Sequence, residues 1–228
     1  MDLWASGAGI VCMCAAFDEN ALPIGELRNF YKIGLRWLDP LVGKLRQEVE
    51  ANESAWYLDE GRQKRISVQR HTQSIFLLRA LRPKDCSVSL NDVQRSGPSR
   101  VSAHFPHTMR TLAAIASNLD GTLGRALYAR LLPHSVVYSH IDEGSYYAAR
   151  HRYHLVISSQ NGSTLRCEDE QVIMREGELW WFDNKKTHSS ENPSDAGRVH
   201  LIFDLLPGMM TPPPKHVCHG LPKTTALS

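Results

Sequence analysis

Residues 138–158 read YSHIDEGSYYAARHRYHLVIS. Two runs of strand-forming residues bracket a short loop, and His140, Asp142, Arg150, Arg152 and His154 lie among them. Side chains that bind metals and anions are thus gathered where the pattern otherwise predicts the interior of a sheet. The same texture continues outward. After Gly124 come RALYARLL (125–132), SVVYSHI (135–141), RYHLVIS (152–158), STLRCEDEQVIM (163–174), GELWWFD (177–183) and RVHLIFDLL (198–206), separated by Gly, Asn, Ser and Pro. Many short strands at close spacing predict a sandwich or barrel, not a parallel sheet with crossover helices. AWYLDEG (55–61) and QSIFLLRAL (73–81) are expected to add flanking strands.

Helical periodicity is confined to the chain before Gly124. From Gly25 to Glu50 the residues Leu27, Phe30, Tyr31, Leu35, Leu38, Leu41, Val42, Leu45 and Val49 recur at three- and four-residue intervals, with Asp39-Pro40 expected to split them into two helices. A further helix is expected over TMRTLAAIASNL (108–119), closed by the turn pair Asp120-Gly121. The expected organisation is an N-terminal helical region (1–55), a β-rich domain (56–206) and a Pro-rich, loosely ordered tail (207–228).

Bulk properties exclude several classes. The chain has 228 residues, 42% of them hydrophobic, enough for a substantial core. Its 26 Lys and Arg against 24 Asp and Glu leave a net charge of +2 with no long basic run, so neither a nucleic-acid partner nor a membrane surface is expected. Five cysteines, an odd number without CxxC pairs, fit reduced thiols and a cytoplasmic setting. Asp2 stands where a signal peptide carries Lys or Arg, and no stretch approaches the roughly 20 apolar residues of a membrane span.

In a strand, residues two apart share a face, so His140 and Asp142 can offer an imidazole and a carboxylate to one point. A third ligand must come from a strand that the sandwich brings alongside, and His188 follows the apolar run GELWWF. Two His and one carboxylate leave metal positions open, as in non-haem Fe(II) oxygenases. His-x-Asp alone is a weak signal, since any strand can contain it. Arg198 strengthens it: on the apolar run RVHLIFDLL an isolated charge would be costly without an anionic partner, and its planar fork suits the far carboxylate of a metal-bound dicarboxylate. Arg150, Arg152 and His154 share one strand face, a pattern more common on a solvated surface but one that beside an iron centre suits anions. Trp180 and Trp181 are expected to serve packing, and HVCH (216–219) lacks the spacing of a zinc site.

These motifs resemble the aspartyl/asparaginyl β-hydroxylase family of Fe(II)- and 2-oxoglutarate-dependent oxygenases. The resemblance spans roughly Trp56 to Leu206 and is carried by HID (140–142), RHRYHLVI (150–157) and GELWWFDNKKTHSSENPSDAGRVHLIFDL (177–205), with a weaker echo in RHTQSIFLLR (70–79). It implies a mainly β double-stranded β-helix, a cupin-like jelly roll, with an N-terminal helical layer. It also implies Fe(II), 2-oxoglutarate and O2 as cofactor and co-substrates. His140, Asp142 and His188 match the family's iron ligands, Arg198 and His154 its 2-oxoglutarate contacts, and Arg152 and Arg150 arginines near the substrate carboxylate. The implied substrate is a free amino acid or an Asp, Asn or Pro residue in a peptide. The chain departs from the family at Pro133-His134-Ser135, where a Gly usually follows the Pro, and this leaves the form of that turn open. Two other classes compete: a non-catalytic jelly-roll binding or sensor module, and a zinc hydrolase, for which His-Asp-His would also serve.

Overall fold

The computed structural model describes residues 27–82 and 87–208. Two antiparallel sheets dominate them. The larger runs in the order β1 (Phe30–Ile33), β9 (Leu179–Phe182), β6 (His151–Ser158), β11 (Arg198–Pro207), β4 (Gly121–Leu131), β2 (Thr72–Ala80) and β3 (Ser96–Pro98). The smaller is β5 (Ser135–His140), β10 (His188–Asn192), β7 (Thr164–Cys167) and β8 (Glu170–Val172).

Period-2 alternation gives the central strands two different faces. Tyr153, Leu155 and Ile157 of β6 and Val199, Leu201, Phe203 and Leu205 of β11 join a core shared with Val42, Leu45 and Val49 of α1 (Asp39–Ala51) and Leu112 and Ile115 of α3 (Pro106–Asn118). The intervening residues point the other way. There Val156, Trp180 and Phe182 meet Leu165, Cys167 and Val172 of the smaller sheet in a second cluster. Trp180 and Trp181 are both buried, one in each cluster, which is the packing role their alternation predicts. Glu48 of α1 ties the helices together: its carboxylate accepts the backbone N–H of His107 at 2.6 Å and of Thr108 at 2.8 Å, groups that the first turn of α3 leaves without helical partners.

The jelly-roll expectation holds, with local corrections. Residues 30–33 form a strand, not a helix. Phe30 pairs with Phe182 and Ile33 with Leu179, so the apolar spacing there served one edge of a sheet. Asp39-Pro40 begins a helix instead of breaking one, because a proline in the first turn loses no hydrogen bond that the turn would make. AWYLDEG forms no strand; residues Glu53–Tyr57 are a 3-10 turn that buries Trp56. STLRCEDEQVIM divides into β7 and β8 at a tight turn in which Glu168 has φ 52°. The tail that carries HVCH lies outside the described residues.

A candidate iron and co-substrate site

The site forms where β5 and β10 pair. His140 ends β5 and His188 begins β10, and the two are cross-strand partners with ring centroids 4.3 Å apart. Asp142 lies just beyond the end of β5, so strand alternation is not what aims it. Instead its backbone N–H donates to Asn184 O at 3.1 Å, and Asn184 Nδ2 donates back to its Oδ2 at 2.9 Å. Gly144 makes the turn that follows possible: its φ is +115°, and a Cβ there would stand 2.6 Å from Asn91 O. At the other end of β5, His134 adopts φ 50°, a conformation that favours glycine, and its ring meets Asp195 at 2.8 Å.

The ligand atoms of His140, Asp142 and His188 all lie within 4.8 Å of one another. The hydrogen bonds fix the tautomers. Nδ1 of His140 contacts Tyr138 O at 2.7 Å and Nδ1 of His188 contacts Lys186 O at 2.8 Å. A carbonyl only accepts, so each Nδ1 carries the proton and each Nε2 presents a lone pair. His188 Nε2 stands 3.9 Å from Asp142 Oδ2. Burial pushes His188 down to about 4, which keeps it neutral at ordinary pH. Burial opposes ionisation of Asp142, but the Arg152 cation and the hydrogen bond from Asn184 outweigh it and hold the carboxyl below its usual value. Two imidazole nitrogens and a carboxylate converging on one point fit a divalent cation.

Arg152, on β6, donates to Asp142 Oδ2 at 2.5 Å and makes a forked contact with Asp204 of β11 at 2.9 and 3.2 Å. It lines the cleft, but these bonds occupy much of its fork. Arg150 donates to Gln94 Oε1 at 2.6 Å and to Tyr146 O at 3.1 Å, and is not among the residues that line the cleft.

The cleft, about 500 Å³ including its open mouth, is lined by His140, His188, His154, Arg152 and Arg198 with Leu131, Val137, Leu165, Phe182 and Ile202. Arg198 is buried, and no acidic group pairs with it among the described residues. Its hydrogen bonds go to Thr164 O and Ser190 Oγ, both at 3.3 Å, and its Nε is buried without a partner. Burial alone lowers it to about 10, the mark of a cation lacking its counter-ion. His154 contacts His200, Nδ1 to Nδ1, at 3.1 Å, and burial drives both well below the usual histidine value. Sequence reasoning missed Arg62 and Gln69, and it took Asn184 for part of a turn presenting His188, whereas its side chain bonds Asp142. Arg62 and Gln69 line the cleft, and Gln69 Nε2 meets His140 Nε2 at 3.3 Å. No spacing rule marks them.

A family profile, aspartyl/asparaginyl beta-hydroxylase, matches residues 67–207. The chain belongs to this family. It is therefore a hydroxylase, a dioxygenase that uses Fe(II), 2-oxoglutarate and O2. Among solved structures it is similar to a prolyl hydroxylase from Trichoplax adhaerens bound to a hypoxia inducible factor peptide fragment, at 13% identity over 78% of this chain and 83% of that one, with a TM-score of 0.52. It is also similar to a Pseudomonas putida prolyl-4-hydroxylase (14%, 74% and 86%, TM-score 0.47) and to AviO1 from Streptomyces viridochromogenes (13%, 81% and 92%, TM-score 0.49). At 13% identity the likeness to the Trichoplax enzyme speaks to the fold alone. No curated protein matches.

Proposed function

We propose that this hydroxylase acts on an amino acid or on an Asp-, Asn- or Pro-type residue of a peptide, with His140, Asp142 and His188 as its iron ligands and Arg198 as the anchor of 2-oxoglutarate. The observation that carries this reading is the pairing, across one cleft, of a His-Asp-His cluster with a buried guanidinium that has no carboxylate partner among the described residues. Neither a zinc hydrolase nor a binding module accounts for that unpaired arginine, whereas a metal-bound dicarboxylate does.

Iron with 2-oxoglutarate and O2 supplies the oxidation of the C–H bond, 2-oxoglutarate leaving as succinate and CO2. The chain's own residues do the rest. Arg198 offers its fork to the distal carboxylate of the co-substrate. His154, neutral through burial and held by His200, takes a place beside that co-substrate without adding charge. Arg152 and Asn184 hold Asp142 ionised and aimed. Of the five N–H groups of Arg152, those not spent on Asp142 and Asp204 are left to meet a substrate. The apolar lining keeps water from the reacting centre.

No helix among the described residues is long and apolar enough to cross a membrane. The free, buried Cys167 thiol supports a reducing, cytoplasmic setting. The test is succinate formation dependent on added substrate, screened over free amino acids and short Asp-, Asn- and Pro-containing peptides, with mass spectrometry for one added oxygen. A chain that forms no product with any of them, while retaining iron, would contradict the proposed substrate class.

A further inference from the structure

Arg62 belongs to α2 (Gly61–Arg65), before the region matched by the family profile, yet it lines the same cleft as His140, His188 and Arg198. Its one hydrogen bond to the described residues runs from Nη1 to Ser74 Oγ at 3.3 Å. The acids that act on it electrostatically, Asp142 and Asp204, are both already bonded to Arg152. Burial and the neighbouring Arg152 cation lower its pKa, so the charge is held at a cost. None of its nitrogens is buried without a partner, so the N–H groups not bonded to Ser74 are accessible.

The charges in the cleft show what is missing. With Fe(II) and the 2-oxoglutarate dianion in place, Arg198 is matched by one carboxylate, Arg152 by Asp204, and the metal by Asp142 and the other carboxylate. Arg62 pairs directly with no acidic group among the described residues. The substrate is the one component still to enter, and a guanidinium with several free N–H groups is built for a carboxylate.

We propose that Arg62 binds a carboxylate of the substrate, so that this enzyme selects substrates carrying an acidic group near the C–H bond it hydroxylates. This rests on the iron and 2-oxoglutarate reading of the site. The carboxylate is either the α-carboxylate of a free amino acid or the side chain of an Asp residue, and the test separates the two.

Wild type and Arg62→Gln, loaded anaerobically with Fe(II) and 2-oxoglutarate, are titrated by calorimetry with L-proline against L-prolinamide, and with acetyl-Gly-Asp-Gly-amide against acetyl-Gly-Asn-Gly-amide. Wild type is expected to bind the carboxylate member of at least one pair about tenfold or more tightly than its carboxamide, and the pair that responds names the source. Arg62→Gln should abolish the preference, and Arg62→Lys, which keeps the charge, should retain part of it. If Arg62→Gln fails to fold by circular dichroism, Arg62→Met, which keeps the length of the stem, takes its place. A preference that survives loss of the charge overturns the proposal, as does a wild type that prefers neither carboxylate or binds none of the four probes. The visible absorption band of the Fe(II)–2-oxoglutarate chelate is read separately. Its absence in wild type would sink the iron and co-substrate reading, while the calorimetric preference still judges Arg62.

Discussion

Arg198 and Arg152 are both buried guanidiniums in one cleft, and their partners separate their roles. Arg152 has Asp142 and Asp204; Arg198 has a carbonyl and a hydroxyl. Arg198→Lys keeps the charge but loses the fork, so it should raise the KM for 2-oxoglutarate by about tenfold or more and leave the substrate's KM less changed. Steady-state kinetics with each varied in turn checks this, and the reverse pattern would mean that the cleft is oriented the other way. The buried imidazoles set a pH dependence. His154, His188 and His200 all have folded pKa values below their ordinary 6.5. As pH falls through 6.5 the unfolded chain takes up protons first, so stability is full above that value and declines below it. The urea midpoint of the metal-free protein should therefore fall between about pH 7.5 and about pH 5. A flat profile would contradict neutral burial of these groups.

The pairing of elements explains how much the sequence revealed. β6 and β11 were legible because both of their faces are buried, one apolar and the other carrying Arg, His and Asp; alternation put Arg152 and His154 on one face, and the cost of an isolated charge on an apolar run marked Arg198. β10 was not expected as a strand. HSSEN has no apolar alternation, because its strand serves to place His188 opposite His140 and is held by neighbours on both sides. β1 was misread because an edge strand of four residues is too short to show its period. Arg62 and Asp204 were invisible as site residues, since what brings them there is the register and the packing of α2, not local spacing. Arg152 faces Asp204 across the β6–β11 pair. Asp204→Ala would break this buried ion pair and should cost about 3–5 kcal/mol, with loss of iron retention as Arg152 releases Asp142. Urea unfolding and metal analysis measure the two effects, and a variant of unchanged stability that still holds iron would refute the role given to Asp204.

Over the whole molecule, the expected boundary near residue 55 does not coincide with a gap in packing. Phe30 sits in the cluster between the sheets, and Leu38, Val42, Leu45 and Val49 sit in the helix-side core. Each such side chain contributes about 1.5–3 kcal/mol when buried, and together they approach the total stability usual for a domain. A chain beginning at Trp56 is therefore expected to lose cooperative urea unfolding and near-ultraviolet circular dichroism, whereas one beginning at Leu27 should keep both. A cooperative fold in the shorter chain would show the helical layer to be dispensable. The central claim is that His140, Asp142 and His188 form one iron site that shares a cleft with the 2-oxoglutarate anchor Arg198. Anaerobic titration of Fe(II) into the protein with 2-oxoglutarate tests it most directly. The account predicts a weak visible charge-transfer band in wild type, absent in His188→Ala and needing a higher 2-oxoglutarate concentration in Arg198→Lys. A wild type without the band, or a His188→Ala variant that keeps it, would contradict the claim.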